Sequence, residues 1–555
     1  MKTDLPLWDW LIVTASNSIQ AQSYKELLSR REGGSLLNSF RHWKVISDPE
    51  GKRIGSGGST VFCLMDILSS AVMERKENAL SWNCLEEIAS SLRVMIFHAG
   101  GDSRRLPAYA PCGKLFVPIP SLNGKKKEGE TLFDQLVMDL LRIPSPKSER
   151  GQFIVVSADA LLRCDFNRAN FDFPGMTAVA SAEPIAQCTR HGVFCVEADQ
   201  KVGFYLQKPS IEKMRSVGAI LPEKYQDGER ALLDVGLMSF DGNFACRLLE
   251  TFGVEICDGS NQLQWENAIH QRVMELGVDF YREICCTLGE KGCFEDYLAA
   301  VRASGSSWSE AELKRFYSGL SSQPLYCCRI DGCEFLHFGT THQLCSSAAL
   351  LSGVNQRQFC LNSFISPKGI LRGDDYWLDG CKVEGTLFLK GENVLTGVII
   401  EPGQILSLPR GGCLDIIPGR LFDSDGERKS CFFIRPYGFS DAFKESIAQG
   451  GTFCGVPLRE WLELSRIPAN WIWDQFQEER QCTLWNARLF PACESESEYW
   501  KWLWYFTPGQ RIKGDELKRF EKTKRFNCAE IALLTDLRKY HSWRIELNFN
   551  RSDLE

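Results

Sequence analysis

Residues 94–114 read VMIFHAGGDSRRLPAYAPCGK, and this stretch decides how the rest of the chain is read. The apolar run from Val94 to Phe97 breaks at Gly100 and Gly101, and Arg104, Arg105 and Lys114 follow closely. Glycine, lacking a Cβ, lets backbone amides approach an anion, and fixed cations neutralise what the amides cannot. The pattern therefore predicts a strand that ends in a polyphosphate-binding loop. It is not a Walker P-loop, because the lysine lies well after the arginines and is followed by Leu115 instead of Ser or Thr.

Downstream, Leu132, Phe133, Leu136, Val137, Leu140 and Leu141 recur at helical spacing, and Phe153 to Val156 reads as a buried strand. That strand, helix, strand order puts the Gly100 loop and the end of the next strand on one edge of a parallel sheet, where ligands of open α/β sheets collect. Short apolar runs alternate with amphipathic segments up to about residue 325, which predicts an α/β domain over 1–325. Upstream, GSGGST (Gly55 to Thr60) precedes an apolar helical run from Val61 to Leu68. Gly57, Gly58 and Ser59 read either as an anion nest at a helix N-terminus or as a tight turn before a buried helix.

A second region, 326–440, carries a repeat. Gly385, Gly391, Gly397 and Gly403 fall at a six-residue period with Val383, Leu387, Leu389, Val394, Val398 and Ile400 among them. Small residues at corners and aliphatics inward fit a β-helix, whose faces each take about six residues; hairpin turns fit the glycines equally well. From 441 to 555 the chain is rich in tryptophan and charge, and segments such as ELKRFEKTKRF look helical. The tryptophans there read as a sugar platform or, more commonly, as core packing. HFGTTH, from His337 to His342, reads as a strand and not a metal site, since no carboxylate or cysteine stands at ligand spacing.

A chain of 555 residues exceeds one core, so two to four domains are expected. With 44% hydrophobic and 24% charged residues it is an ordinary globular composition. The net charge of -7 argues against nucleic acid or an anionic membrane as the main partner. Asp4, Pro6 and Asp9 interrupt what would be a secretory apolar core, and no uninterrupted apolar run is long enough to cross a bilayer. The 23 cysteines are odd in number and without C-x-x-C spacing, which suits reduced thiols used as small apolar residues in a cytoplasmic protein.

GGDSRRLPAYAPCGK is similar to the G-G-x-G-T-R-L-x-P…P-K signature of sugar-nucleotide pyrophosphorylases, which join a nucleoside triphosphate to a sugar 1-phosphate. It resembles most the branch that makes GDP-L-fucose, where an element like GSGGST also lies upstream and a segment like TLWNARLFP (Thr483 to Pro491) occurs. Gly100 and Gly101 take the glycine positions, Arg105 the catalytic arginine and Lys114 the lysine. Ser103 and Arg104 stand where the general signature has Gly-Thr, a departure that favours the fucose branch. The resemblance implies an α/β Rossmann-like nucleotidyltransferase domain, a parallel, left-handed β-helix and a helical C-terminal region. In some members a sugar kinase follows. Its P-x-x-x-G-L-x-S-S-A loop does not occur here, so the expectation is a stand-alone transferase or the front part of a fused enzyme.

The implied reaction makes GDP-L-fucose and pyrophosphate from GTP and L-fucose 1-phosphate. The sugar phosphate is already ionised, so what must be supplied is alignment of two repelling anions and stabilisation of the leaving group. Arg105 and Lys114 suit that task, with the amides of Gly100 and Gly101; Ser103 belongs to the same nucleotide-binding loop, and Arg104 either assists or points to solvent. Mg2+ is expected to bridge the phosphates. Asp159, just past the strand in FIVVSADALL, matches the family's metal aspartate, though a helix N-cap suits it as well. Asp234, in LLDVGLMSF, resembles a residue that meets the metal or the sugar hydroxyls. HGVFCVEADQKVGFYLQKP alternates as a hairpin ending in Gln207-Lys208-Pro209, similar to the family's E-K-P, whose lysine holds the sugar phosphate. His191 and Gly192 open it to line the sugar pocket, with a structural role equally open for the histidine. The rival expectations are another sugar 1-phosphate or UTP as substrate, or a non-catalytic subunit that binds a nucleotide sugar.

Overall fold

The structure, a computed structural model, describes residues 7–34, 36–76, 80–120, 130–226, 228–257, 262–353, 357–422, 426–474, 477–509 and 514–552. It divides into two compact units, Met1–Gly100 with Leu136–Phe335, and Gly101–Gln135 with Leu336–Glu555. An unbroken 1–325 domain therefore needs one correction: Gly101–Gln135 belongs to the second unit. No boundary falls near 440, because strands on both sides of that point share one sheet.

The first unit is built on a nine-stranded mixed sheet. Trp8–Ala15 pairs in parallel with Phe40–Ser47 on one side and Arg93–His98 on the other, and Arg93–His98 pairs in parallel with Gln152–Ser157. Beyond it the sheet turns antiparallel through Arg230–Phe240 and Met176–Pro184, and Leu325–Arg329 joins the edge in parallel. The hairpin Gly192–Val196 and Val202–Gln207 attaches to Arg230–Phe240. Strands such as RVMIFH and QFIVVS are buried on both faces, so they read as continuous apolar runs and not as alternation.

The helix Gly55–Arg75 packs on Trp82–Ala89 and Gly242–Thr251, and Leu64, Ile67 and Leu68 enter the core with Val94, Ile96 and Val155. By length and composition it could cross a membrane, yet 61% of its apolar window is buried in the core. The helix ends at Lys76, which turns left-handed at φ 56°. The predicted helix after the signature loop spans Leu132–Leu140, with the Thr131 amide and hydroxyl both donating to Asp134.

In the second unit three parallel ladders rise together. Gln358–Leu361, Tyr376–Asp379, Asn393–Thr396 and Gly412–Phe422 form the first; Phe364–Ile365, Lys382–Val383 and Ile399–Ile400 the second; Ile370–Arg372, Thr386–Leu389 and Ile405–Leu408 the third. The chain visits the ladders in rotation, so like residues stack: Trp377 on Val394, Val383 on Ile400, Leu387 on Leu406, all fully buried. Gly385, Gly391, Gly397 and Gly403 sit between strands, as their period predicts. Buried Asn393 is satisfied on both sides, by the Gly391 amide and by the carbonyls of Pro409 and Gly412.

Gly412–Phe422 then folds back on Arg428–Gly438, and Phe490–Cys493 and Arg525–Phe526 extend the sheet. The C-terminal region is thus not purely helical. Its tryptophans are packing residues: Trp461 stacks on Trp504, its indole donates to the Tyr505 carbonyl, and Phe453, Phe490 and Phe520 complete the cluster. Trp500 is the exception, at 60% exposed. HFGTTH is strand only up to His337; Thr340 caps the helix Thr341–Ser352, where His337 meets Gln343 and His342 meets Ser440.

Candidate active site

The signature loop is shared between the two units, which divide after Gly100. In the first unit Arg93–His98 runs out of the sheet, and the amides of Ala99 and Gly100 donate to the Thr14 hydroxyl at 3.1 and 3.3 Å. In this arrangement the Gly100 amide serves Thr14. His98 precedes it, bonded through Nε2 to Thr60 Oγ1 at 2.9 Å, and burial pushes its pKa down to about 4.

In the second unit Gly101 continues at φ 126°, a backbone angle that disfavours any side chain. Ser103 adopts φ 54° and is buried, its carbonyl accepting from the Leu106 amide at 2.8 Å. Ser103 occupies the position where the general signature has glycine, and the left-handed backbone explains that preference. Arg104 is bound to Asp102 at 2.9 Å through Nε and Nη2, and its guanidinium lies 5.6 Å from the Trp485 ring. Arg105 is exposed while its carbonyl accepts from the Thr341 amide at 3.2 Å. Lys114 opens the turn Lys114–Phe116, half-buried. The loop thus anchors one arginine and presents the next.

GSGGST forms the first turns of the helix Gly55–Arg75, and its glycines serve packing. The amides of Gly57 and Gly58 donate to the Val278 carbonyl at 2.8 and 3.2 Å. A Cβ at Gly57 would come within 2.7 Å of the Val278 side chain, and one at Gly55 within 2.3 Å of its carbonyl oxygen. Ser59 donates to Asp48 at 2.6 Å. In this arrangement the amides expected to form a nest are taken by protein.

Asp159 sits in the turn between Gln152–Ser157 and Ala160–Arg163, accepting from the Ser157 hydroxyl at 2.8 Å. No helix begins there, which removes the N-cap alternative. Asp234 is 5% exposed in Arg230–Phe240, and both of its oxygens accept hydrogen bonds, from Tyr205 Oη at 2.9 Å and the Gly236 amide at 2.8 Å. Burial pushes its pKa up to about 6. Among the described residues no group of three or more His, Cys, Asp or Glu is poised for a metal.

Gly192 has a structural role the sequence did not reveal: a Cβ there would lie 2.2 Å from Tyr205 Oη. Its bareness lets the Tyr205 hydroxyl reach Asp234, with Gln207 Oε1 3.3 Å away. Gln207 thus sets a neutral amide beside the Tyr205 hydroxyl. His191 packs edge-on against Phe335, and its carbonyl accepts from the Lys208 amide at 3.0 Å.

Lys208 turns left-handed at φ 50° and is exposed on a cavity of about 520 Å³ within the first unit. Lys213 and Arg282 line the same cavity with Asp279 and Asp296. Arg282 is tied to Glu283 at 2.6 Å and to the Ser304 carbonyl, and Asp279 caps the amides of Tyr281 and Arg282. Lys208 and Lys213 have no ion-pair partner among the described residues. Their charges therefore suit an anionic ligand. Sequence reading found Lys208 through its motif but missed Lys213 and Arg282, which carry no motif; the Ser210 cap that starts the short helix bearing Lys213 was the available signal.

The fold defines a protein with a mixed α/β unit and a glycine-arginine loop at the end of one of its strands, and comparison with known proteins makes this specific. A family model for the fucose pyrophosphorylase domain matches residues 86–495, and the chain belongs to that family. It is 26% identical to the bifunctional fucokinase/GDP-fucose pyrophosphorylase of Arabidopsis thaliana over 88% of this chain and 47% of that one. It is 23% identical to the L-fucokinase/L-fucose-1-P guanylyltransferase of Bacteroides fragilis over 97% of this chain and 50% of the other. A fucose-1-phosphate guanylyltransferase of Mus musculus is 24% identical over 88% and 85% of the two chains. The chain thus spans about half the length of the first two relatives.

Proposed function

We propose that this chain transfers a guanylyl group from GTP to L-fucose 1-phosphate, forming GDP-L-fucose and releasing pyrophosphate. The observation that carries the reading is the family match over 86–495, a span that contains Arg105, Lys114, Asp159 and Lys208. A phosphate oxygen of the sugar phosphate attacks the α-phosphorus of GTP and the bond to the β-phosphate oxygen breaks. The exposed Arg105 and the half-buried Lys114 stabilise the charge that gathers on the departing pyrophosphate. Lys208 holds the phosphate of the sugar, and the unpaired charges of Lys208 and Lys213 support that role. The kinase named in the plant and bacterial relatives supports a phosphorylated fucose as the acceptor.

Asp159 suits a hard cation, being a carboxylate at a strand end in a turn; Asp234, buried with both oxygens accepting hydrogen bonds, is the second candidate, for the metal or the sugar hydroxyls. Mg2+ held by Asp159 and the substrate phosphates would neutralise charge on the triphosphate. We further read the first unit as a Rossmann-like nucleotidyltransferase sheet and the three ladders as a left-handed parallel β-helix. The run of four parallel strands supports the first reading, and the rotation of the chain among the ladders supports the second.

The test crosses the four nucleoside triphosphates with a panel of sugar 1-phosphates and measures pyrophosphate release. GTP with L-fucose 1-phosphate is expected to give the highest kcat/KM. Arg105→Ala and Lys114→Ala are each expected to lower it by at least ~100-fold, the scale of an unstabilised oxyanion. Equal turnover in both variants would overturn the assigned roles.

A further inference from the structure

The segment that follows Arg105 is fastened to the second unit by two buried arginine-carboxylate pairs. Arg435 and Asp415 are both 0% exposed, and the fork of Arg435 reaches Asp415 through Nε and Nη2 at 3.0 and 2.7 Å. The same Nη2 donates to the Pro107 carbonyl at 2.6 Å, two residues past Arg105. Thr396 completes Asp415 from the neighbouring strand at 2.8 Å without touching the loop.

The second pair is Arg544 with Asp379, at 2.9 Å. Asp379 also accepts from the Tyr109 hydroxyl at 3.1 Å, and that hydroxyl accepts from the Trp377 indole at 2.8 Å. Tyr109 is 1% exposed. Arg544 is supplied by the helix Leu537–Ser552, and Asp379 by the first ladder. Next along the loop, Cys112 lies against Tyr540 of that same helix.

We propose that Arg435, Asp379 and Arg544 are positioning residues: they fix the backbone from Pro107 to Cys112 and so set where Arg105 and Lys114 stand. A fully desolvated guanidinium demands its partners in one geometry, since any other leaves a buried charge unmet. Anchoring one loop carbonyl and one loop hydroxyl from two such pairs removes the freedom that an exposed turn would otherwise keep. Misplacement by about 1 Å costs on the order of 100-fold in rate for a group that must meet a developing charge. The catalytic part of this inference rests on the proposed transferase activity; the structural part does not.

The experiment uses the full chain and three variants: Tyr109→Phe, which keeps the ring and drops the bridging hydroxyl, Arg435→Gln, and the control Thr396→Val. Amide hydrogen exchange is followed at Leu106, Ala110, Gly113 and Val117, whose amides bond within the loop. Tyr109→Phe and Arg435→Gln are expected to speed exchange there by at least ~10-fold while Thr396→Val leaves it within ~2-fold. In pyrophosphate release, the first two are expected to lower kcat by ~10-fold or more with the KM for L-fucose 1-phosphate within ~2-fold. Should Arg435→Gln fail to fold, Tyr109→Phe carries the test alone. Unchanged loop exchange in Tyr109→Phe overturns the proposal, as does faster exchange with kcat unaltered. If the unmodified chain releases no pyrophosphate from any substrate pair, the transferase reading fails, while the exchange result still decides whether these residues hold the loop.

Discussion

Two buried aspartates in each unit are held in opposite ways. In the first, Asp234 and Asp48 are met by neutral donors, a tyrosine and an amide for one and a serine for the other. Burial is the leading influence on both, and each pKa is pushed up to about 6. In the second, Asp415 and Asp379 each face an arginine across less than 3 Å. The first arrangement leaves groups that titrate near neutrality inside an apolar core. The second locks charge in place and spends it on geometry, since buried ion pairs add little net stability over an apolar core but are costly to break.

The sharpest way to break that contrast is Asp415→Ala, which strands Arg435 in a fully buried site. A loss of about 3–5 kcal/mol is expected, read from the denaturant midpoint. A loss below about 1 kcal/mol would mean that water or Cys528 satisfies the guanidinium instead.

Next in size is a pH effect in the first unit. The Asp234 pKa is raised in the folded state, so the native chain binds the extra proton, and stability falls as pH rises from about 4 through about 6. Roughly two pH units at ~1.4 kcal/mol each make this about 3 kcal/mol. Asp234→Asn removes the titration, so its stability relative to the unmodified chain is expected to climb by that amount between pH 4 and pH 7. Denaturation curves at the two pH values check it, and parallel behaviour of both proteins would sink it. Asp415→Asn is not expected to reproduce this gain, because its arginine would lose its counter-charge.

The smallest effect concerns Ser103. Its left-handed backbone costs a non-glycine residue about 1–2 kcal/mol, partly offset in glycine by greater freedom when unfolded. Ser103→Gly is therefore expected to raise stability by up to about 1 kcal/mol, and Ser103→Val to lower it, by thermal melting. A melting temperature that drops in the glycine variant would show that the serine side chain holds the loop.

Local pattern accounts for a good share of what the structure contains. The strand Arg93–His98, the helix Leu132–Leu140, the hairpin ending at Lys208 and the glycine corners near 385–403 were all legible, because periodicity and glycine placement act over a few residues. The fate of individual amides was not. Gly57 and Gly58 resemble an anion nest in sequence, and only the approach of Val278 shows that their donors are taken. Asp159 kept a helix N-cap as its second reading until a turn, and not a helix, followed it. Lys213 and Arg282 lie far apart in the chain, so the cavity they share with Lys208 had no sequence signature.

By itself the sequence determined the family, the order of the elements and the identity of the loop that carries Arg105 and Lys114. Those depend on residue types at short spacing, where propensity and steric rules operate. Tertiary structure alone decided which of the loop's groups are bound and which are presented. Arg104 is held by Asp102 and Trp485 while Arg105 is exposed, and the Pro107 carbonyl meets a guanidinium more than three hundred residues away in sequence. Such partners are selected by packing and by the need to satisfy every desolvated charge, and neither constraint is written locally in the chain.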